Sequence, residues 1–526
     1  MALLTEGTYP YVDGGVSTWA HSLCHTLTNV EYSIYAVTGH TAALPAYPRT
    51  PNTAEIVQLP QWGTEDIVEY VQRQVRGAAY FRRKLLSRLG VSRFLEDFAR
   101  LVDVVLEPAA VDPIADGELI LRLHRFFQDH DYTSVFRRRS VWQCFEERCL
   151  SFWRKRMAAE GRPEPSALQL AVALRWMHNL LSPLALPIPN VDVIHASVGA
   201  IVGLIGAIGK MERGIPFVLT EHGVYLRERH ISLSSAALPW FHRRIMVGLS
   251  SVASRICYAY ADRVTPVCAY NTRWETRLGV PPDRIQVIYN GIDPEIFRPG
   301  PKPEAIAARP TVVAAARVSP IKDVLSMIEA TAVARRQVPN LLVRVYGSLT
   351  ADPPYVELCR QRIVELGLED TFELAGFHSS PAEIYNEGDI SVLSSITEAF
   401  PYTVLESMAC QRPVVATDVG GVAEALEGYG IVVPPKDPES LGSAMAELLR
   451  DAVRRSELGR RGREQVLTRF HIDTAARKYL DLYRSVTASG NRTLHPVGLS
   501  PLSDTGNGTA HGAQRQEERQ LSPLTR

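Results

Sequence analysis

The chain has 526 residues, more than one hydrophobic core usually serves, so a single small domain is excluded and two domains with additions are expected. Its 46% apolar and 22% charged residues exclude a disordered or fibrous chain. Lysine plus arginine number 57, as do aspartate plus glutamate, so no overall positive field draws the protein to nucleic acid, and none is expected as a partner.

The opening MALLTEGTYP has no basic segment followed by a long apolar one, which argues against a secretory signal. ALLTEG itself reads as a buried strand, followed by a loop, a helix over about 16–28, and a second strand, EYSIYAVTG. From about 60 to 189 strand patterns give way to long amphipathic helices, among them IVEYVQRQVRGAAYFRRKLLSRL, LILRLHRFFQ and SVWQCFEERCLSFWRKRM. The strand–helix rhythm then resumes with DVIHASVG, PFVLTEHG, DRVTPVC and RIQVIYNGID, so 60–189 is a helical insertion. The most apolar stretch, from Val198 to Ile208, is too short and glycine-rich to span a bilayer.

A proline-rich passage, DPEIFRPGPKPEAIAARP, separates the halves as a linker. The second half has strands TVVAAARV, LLVRVYGS, TFELAGF, ISVLSS and PVVATDV, with helices between them and closing helices near SLGSAMAELLRDA and AARKYLDLYRSV. The expected division is an N-terminal Rossmann-like domain over 1–295, a C-terminal one over 296–470, a closing helix over 471–487 and a disordered tail over 488–526. The fold class is therefore α/β, with two doubly wound sheets facing across a cleft that is the natural place for a site.

The seven cysteines, Cys24, Cys144, Cys149, Cys257, Cys268, Cys359 and Cys410, form no CxxC pair and no metal spacing. Free thiols in a reducing compartment are expected, and with the absent signal they point to a cytoplasmic protein. In that setting the Asn-x-Thr matches at Asn491 and Asn507 carry little weight.

Four segments carry chemistry. TEGTYPYVDGGV puts Gly14 and Gly15 between the first strand and its helix, where backbone N–H groups can approach a phosphate, although a plain turn explains them too. The segment is not GxGxxG, so a nicotinamide fingerprint is absent. LTEHGVYLRER places His222 at a strand's carboxyl end, either as a core histidine or as a donor to a sugar hydroxyl or leaving phosphate. RVSPIK brackets a strand-to-helix turn with Arg317 and Lys322, expected to begin the helix, which can hold a diphosphate or remain solvated cations. The fourth segment, SSITEAFPYTVLE, sets Glu398 and Glu406 eight positions apart, with Pro401 in the first turn of a helix. Wholly helical, that span would separate them by about 12 Å, near the length scale of a sugar nucleotide. Glu398 would then bind sugar hydroxyls and Glu406 the ribose diol, against the plainer reading of a first-turn acid and a surface acid.

Asp129-His130-Asp131 resembles a metal-binding Asp-x-Asp but lies between helices, so termination and capping is the better explanation. Asn271-Thr-Arg-Trp looks like a helix start and Asn290-Gly-Ile-Asp293 like a turn.

With these residues in place, the sequence resembles glycosyltransferase family 4, and within it the PelF-type branch of exopolysaccharide synthesis. EGTYPYVDGGVSTW, LTEHGVYLRER, ARVSPIKD and SSITEAFPYTVLESMA…RPVVATDVGG stand in the family's order, and the likeness covers about 1–487. The resemblance implies a GT-B fold, a UDP-sugar donor (commonly UDP-glucose), retention of anomeric configuration and no metal or other cofactor. It implies that Gly14 and Gly15 meet the diphosphate, Arg317 and Lys322 neutralise it, Glu398, Ala399 and Phe400 hold the donor sugar and Glu406 the ribose. His222 would face the donor sugar, and backbone around Gly376, Phe377 and His378 would recognise the base. Tyr346-Gly347-Ser348 and Gln411 depart from the usual glycines, which touches fine geometry only.

No side chain has the look of an enzymatic nucleophile with a paired base. The expected chemistry is attack by an acceptor glycan on the leaving group's own face, with charge stabilised by Arg317, Lys322 and a helix N-terminus. Rivals are a sugar-nucleotide 2-epimerase on the same fold and a non-catalytic nucleotide-sugar sensor in a membrane synthase complex. Basic runs at Arg82-Arg83-Lys84, Arg137-Arg138-Arg139 and Arg154-Lys155-Arg156 are solvated helix faces or docking points. The expectation drawn from them is peripheral recruitment by inner-membrane polysaccharide synthase partners rather than insertion.

Overall fold

The computed structural model describes residues 1–40, 42–62 and 91–488. The first expected insertion helix, the Arg82-Arg83-Lys84 run and the tail beyond residue 488 lie outside the described residues. By contacts the chain divides into two units: Met1–Pro266 with Thr272–Gln286 and the segment from Tyr479, and Val267–Asn271 with Val287–Lys478.

In the first unit the described elements are β1 (Ala2–Glu6), α1 (Gly15–Thr26), β2 (Tyr32–Thr38), β3 (Thr53–Pro60), α2 (Ser92–Leu106), α3 (Pro113–Asp129), α4 (Tyr132–Phe136), α5 (Arg139–Phe152), α6 (Ala167–Leu180), β4 (Ile194–Ala196), α7 (Leu204–Arg213), β5 (Phe217–Glu221), α8 (Tyr225–Ser235), α9 (Trp240–Tyr260) and β6 (Arg263–Pro266). The division between units falls inside α10 (Ala269–Arg277). All strands pair parallel in the order β3-β2-β1-β4-β5-β6. A strand covered on both faces is buried along its length, as β5 is, its polar end at Thr220 and Glu221 included.

The helices between β3 and β4 share one apolar core with the sheet: Phe94, Phe98, Leu101 and Val105 of α2 cluster with Leu4 and Leu219. Their starts are written locally. Asp112 caps α3 ahead of Pro113, and Ser166 with Gln169 closes a capping box on α6. Asp131 caps α4 by accepting from Ser134 N at 2.8 Å, as the capping explanation of Asp129-His130-Asp131 requires. Of the basic runs, Arg137, Arg139 and 154–156 are exposed, with Arg156 paired to Glu107. No helix of the described residues is long and apolar enough to cross a membrane.

The second unit holds β7 (Thr311–Ala315), α11 (Val324–Arg335), β8 (Leu342–Tyr346), α12 (Pro353–Glu365), β9 (Phe372–Gly376), α13 (Pro381–Glu387), β10 (Ile390–Leu393), α14 (Tyr402–Ala409), β11 (Val414–Thr417), α15 (Val422–Leu426), β12 (Ile431–Val433), α16 (Pro438–Arg450) and α17 (Ala452–Arg469). The last helix, α18 (Ile472–Ala488), crosses the division at Tyr479. The parallel order β12-β11-β10-β7-β8-β9 repeats that of the first unit. Both are Rossmann-type, doubly wound sheets, and in each the order reverses once: between β1 and β4, and between β7 and β10.

One expectation is corrected, and two strands stand where none was expected. RIQVIYNGID is not a strand: it meets the sheet through one bridge, Val264↔Ile285, at the edge beside β6. The sequence reading passes over β3 and β12, which occupy the outer edges of the two sheets. Edge strands have one pairing neighbour and carry a weaker apolar signal.

Candidate functional site

The turn after β7 and the turn after β10 flank the point where the second sheet reverses, and they bond to one another. Ile396 N donates to Ile321 O at 2.9 Å and Ser394 Oγ to Lys322 O at 2.8 Å. Lys322 Nζ, held by that frame, forms an ion pair with Glu398 Oε1. Ser395 Oγ donates to the same oxygen at 2.7 Å. With 21% and 12% side-chain exposure, the two charged groups are sheltered yet reachable. Lys322 sits in a 3-10 turn and α11 begins at Val324, so the expectation that Lys322 opens the helix is corrected. Asp323, at φ 47°, takes the cap position and accepts from Ser326 N. Arg317 lies on the same turn and is exposed. Gly347 lets that turn close on β8, since a Cβ there would stand 2.0 Å from Ala316 O.

The turn bearing Glu398 is fixed by the glycines after β11. Gly421 N donates to Ala399 O at 2.6 Å. Gly420 has φ +59°, and a Cβ on it would stand 1.8 Å from Glu398 O. Gly420→Ala is therefore expected to shift the Glu398 turn and cost about 1–3 kcal/mol. A thermal melt together with a turnover assay checks this, and a wild-type melting temperature would refute it.

The Glu398–Glu406 span is not wholly helical. Pro401 is the N-cap and only Tyr402–Ala409 is helix, so the axial estimate of their separation does not apply. Phe400 is 3% exposed and packs on Tyr289 at 5.1 Å and Phe470 at 5.4 Å, while its carbonyl accepts from Asn290 Nδ2 at 3.1 Å. What Phe400 can offer a ligand is backbone. Glu406 accepts from Tyr385 Oη at 2.7 Å, and burial pushes its carboxyl up to about 7 against that hydrogen bond. Beyond β9, Phe377 is 76% exposed and His378 Nδ1 accepts from Ser380 N at 3.1 Å.

In the first unit, Gly14 is the N-cap of α1 with no side-chain cap, and Gly14 and Gly15 are both exposed. His222 follows β5 directly. Burial pushes its imidazole down to about 3, so the ring is neutral near pH 7. Its Nε2 is closed to solvent and meets no hydrogen-bond partner among the described residues.

Sequence reasoning misses Ser395 and Tyr385 and, near His222, Trp19 of α1, whose ring centroid is 4.6 Å from that of His222, and His195 of β4, 5.4 Å from Trp19. Ser395 stands in the same turn as Glu398, where its hydroxyl could have been suspected. The others lie inside elements, where no turn or spacing marks them.

The family model described as "Domain of unknown function (DUF3492)" matches residues 1–283. The chain belongs to the DUF3492 family. A second model, "Glycosyl transferases group 1", matches residues 301–465 of this DUF3492 member, the stretch that contains Arg317, Lys322, Glu398 and Glu406. A D-inositol 3-phosphate glycosyltransferase from Thermobispora bispora is 29% identical over 325 residues, 59% of this chain and 74% of the relative. Sucrose-phosphate synthase from Thermosynechococcus elongatus superposes with TM-score 0.58 at 17% identity, over 93% of this chain and 99% of its own. HepE from Anabaena, solved in complex with UDP-glucose, superposes with TM-score 0.56 at 16% identity, over 92% of this chain and 100% of its own. At those identities the two structures speak for the fold alone. Together with the group 1 match and the homologous glycosyltransferases, they make the chain a glycosyltransferase of the GT-B type.

Proposed function

We propose that the chain is a metal-independent, retaining glycosyltransferase of family 4, PelF-type, which moves a sugar from a UDP-sugar to a glycan acceptor in exopolysaccharide synthesis. The donor on this reading is UDP-glucose or a UDP-hexosamine. The observation that carries it is the Lys322–Glu398 pair, set across the point where the second sheet reverses. HepE's capture with UDP-glucose supports the donor class, and the four ordered motifs support the narrower family.

The roles follow from the charges. An ammonium has three donors, and Lys322 has one engaged by Glu398, which leaves two for diphosphate oxygens. Arg317 adds a fork of donors from the same turn. The uncapped N-termini of α1, exposed at Gly14 and Gly15, and of α14 suit phosphate oxygens. Glu398, already oriented by Ser395, accepts from sugar hydroxyls, and Glu406 accepts from the ribose diol. Backbone beside Phe377 and His378 reads the base. His222, neutral, gives a substrate hydroxyl a hydrogen bond rather than a proton. In the transfer, the bond between the anomeric carbon and the β-phosphate oxygen breaks. The acceptor oxygen bonds to the same face of that carbon, and its proton passes to the departing phosphate. A synthase complex at the inner membrane is the proposed partner.

Calorimetric titration of UDP, GDP and ADP tests the reading. UDP is expected to bind selectively, and Glu406→Ala to weaken it about 10- to 100-fold, the loss of a hydrogen bond or two to a charged group. Equal or absent binding of all three nucleotides would favour a scaffold over an enzyme. The accepting form of Glu406 is the carboxylate, and its proton leaves near pH 7. UDP affinity is therefore expected to climb between about pH 6 and 8 and then level off, with Glu406→Gln flattening the profile.

A further inference from the structure

Behind His222 lies a buried aromatic cluster that the proposed chemistry does not use. Trp19, 4% exposed on α1, meets the His222 ring edge-on, with centroids 4.6 Å apart and planes at 69°. Trp19 is itself wedged between two further rings. His195 of β4 stands 5.4 Å away at 88°, and Tyr479 of α18 stands 5.6 Å away at 68°.

Those two rings are fixed by hydrogen bonds. His195 Nδ1 pairs with Tyr483 Oη at 2.8 Å and its Nε2 with Thr220 Oγ1 at 2.7 Å. Thr220 Oγ1 in turn meets Thr265 Oγ1 at 2.6 Å and Tyr479 Oη at 3.2 Å. The chain of contacts joins β4, β5, β6 and α18, and Trp19 carries it to His222. His222 Nε2 meets no hydrogen-bond partner among the described residues, and the edge-on contact with Trp19 is the ring contact that His222 makes.

We propose that Trp19, held by His195 and Tyr479, is a positioning residue that fixes the imidazole of His222 for its hydrogen bond to substrate. This rests on the role given to His222 in the proposed function. A misplacement of about 1 Å in a positioned group can cost about 100-fold in rate. Burial, to which the packed indole contributes, lowers the pKa of the ring and favours its neutral form.

The test uses the full chain, UDP-glucose and UDP-N-acetylglucosamine as probes, and UDP release as the readout. Trp19→Leu is expected to lower kcat roughly 10- to 100-fold with KM nearly unchanged, and His222→Ala to do the same. The double variant is expected to be no worse than either single one, because both remove one function. Trp19→Phe, which keeps an aromatic edge, is expected to restore most of the rate. Additive losses in the double variant, or a Trp19→Leu enzyme at the wild-type rate while His222→Ala is impaired, would overturn the positioning role alone. A His222→Ala enzyme at the wild-type rate would remove the role of His222 and the positioning with it.

Nitrogen NMR of ¹⁵N-histidine-labelled protein gives a readout that needs no turnover. The His222 ring of Trp19→Leu is expected to titrate at higher pH than in wild type, and Trp19→Phe to stay near wild type. Unchanged His222 signals in Trp19→Leu would overturn the proposal. A wild type that turns over neither probe would count against the donor reading, with the NMR result still deciding the geometry.

Discussion

Lys322→Ala is expected to lower sugar transfer by about 10²- to 10³-fold at saturating donor, the usual cost of deleting one group that stabilises charge on a leaving oxygen. Two effects act together. On the proposed function, the departing diphosphate loses a cation that lies in the turn after β7. Glu398, with only 12% of its side chain exposed, loses its partner and keeps only the Ser395 hydroxyl at 2.7 Å. Without its cation the carboxylate is no longer held in place, which removes the acceptor role toward the sugar that the proposed function gives it. Lys322→Arg should recover little, since a planar fork cannot occupy the ammonium's place between Glu398 and a phosphate. Glu398→Gln should also be slow, but with near-normal UDP binding, because Lys322 stays. Turnover and UDP affinity measured on the three variants separate these outcomes. A Lys322→Ala enzyme within about three-fold of wild type, with an unchanged melting temperature, would remove the pair from the chemistry.

That pair is readable in the sequence because both members follow strands. ISVLSS and TVVAAARV are dense in apolar residues, their turns are polar, and parallel sheets put such turns at one edge. What cannot be read is that Lys322 and Glu398, 76 positions apart, bond directly. Strand order decides that, and order is set by tertiary packing. The same limit explains the edge strands. Thr53–Pro60 carries Glu55 and Gln58 and ends in proline, and Ile431–Val433 is three residues long. Neither is buried from end to end as β5 is. Trp19 stands within GGVSTW, yet nothing in its spacing distinguishes a wedge behind His222 from any core tryptophan on an amphipathic helix. His195, inside DVIHASVG, is invisible for the reverse reason. A histidine within a buried strand becomes meaningful only when Thr220 and Tyr483 are seen on either side of its ring.

Glu275→Gln is expected to raise the melting temperature, and to raise it more as pH increases. Glu275 is fully buried on α10, and neither carboxyl oxygen has a hydrogen-bond partner among the described residues. Burial pushes its carboxyl up to about 8 from an ordinary 4.5. Glu221, at the end of β5, accepts from Tyr258 Oη at 2.9 Å and Gly199 N at 3.2 Å. Its carboxyl is raised as well, by burial first and by the charge of Glu275 second. A charge on Glu275 thus opposes ionisation of Glu221. Between pH 4.5 and about 8 the folded chain holds a proton that the unfolded chain has released, so stability falls as pH rises through that window. Above it the full penalty is present, on the order of a few kcal/mol. A glutamine side chain in its place has no charge to bury and should escape that slope. The gain over wild type should be small at about pH 5 and reach several degrees by about pH 9, read from scanning calorimetry of both proteins. A gap that stays constant across pH would mean that Glu275 is ionised in the fold. A cation beside the carboxylate would then have to neutralise it. The slope of the gap against pH decides between a protonated acid and a paired one.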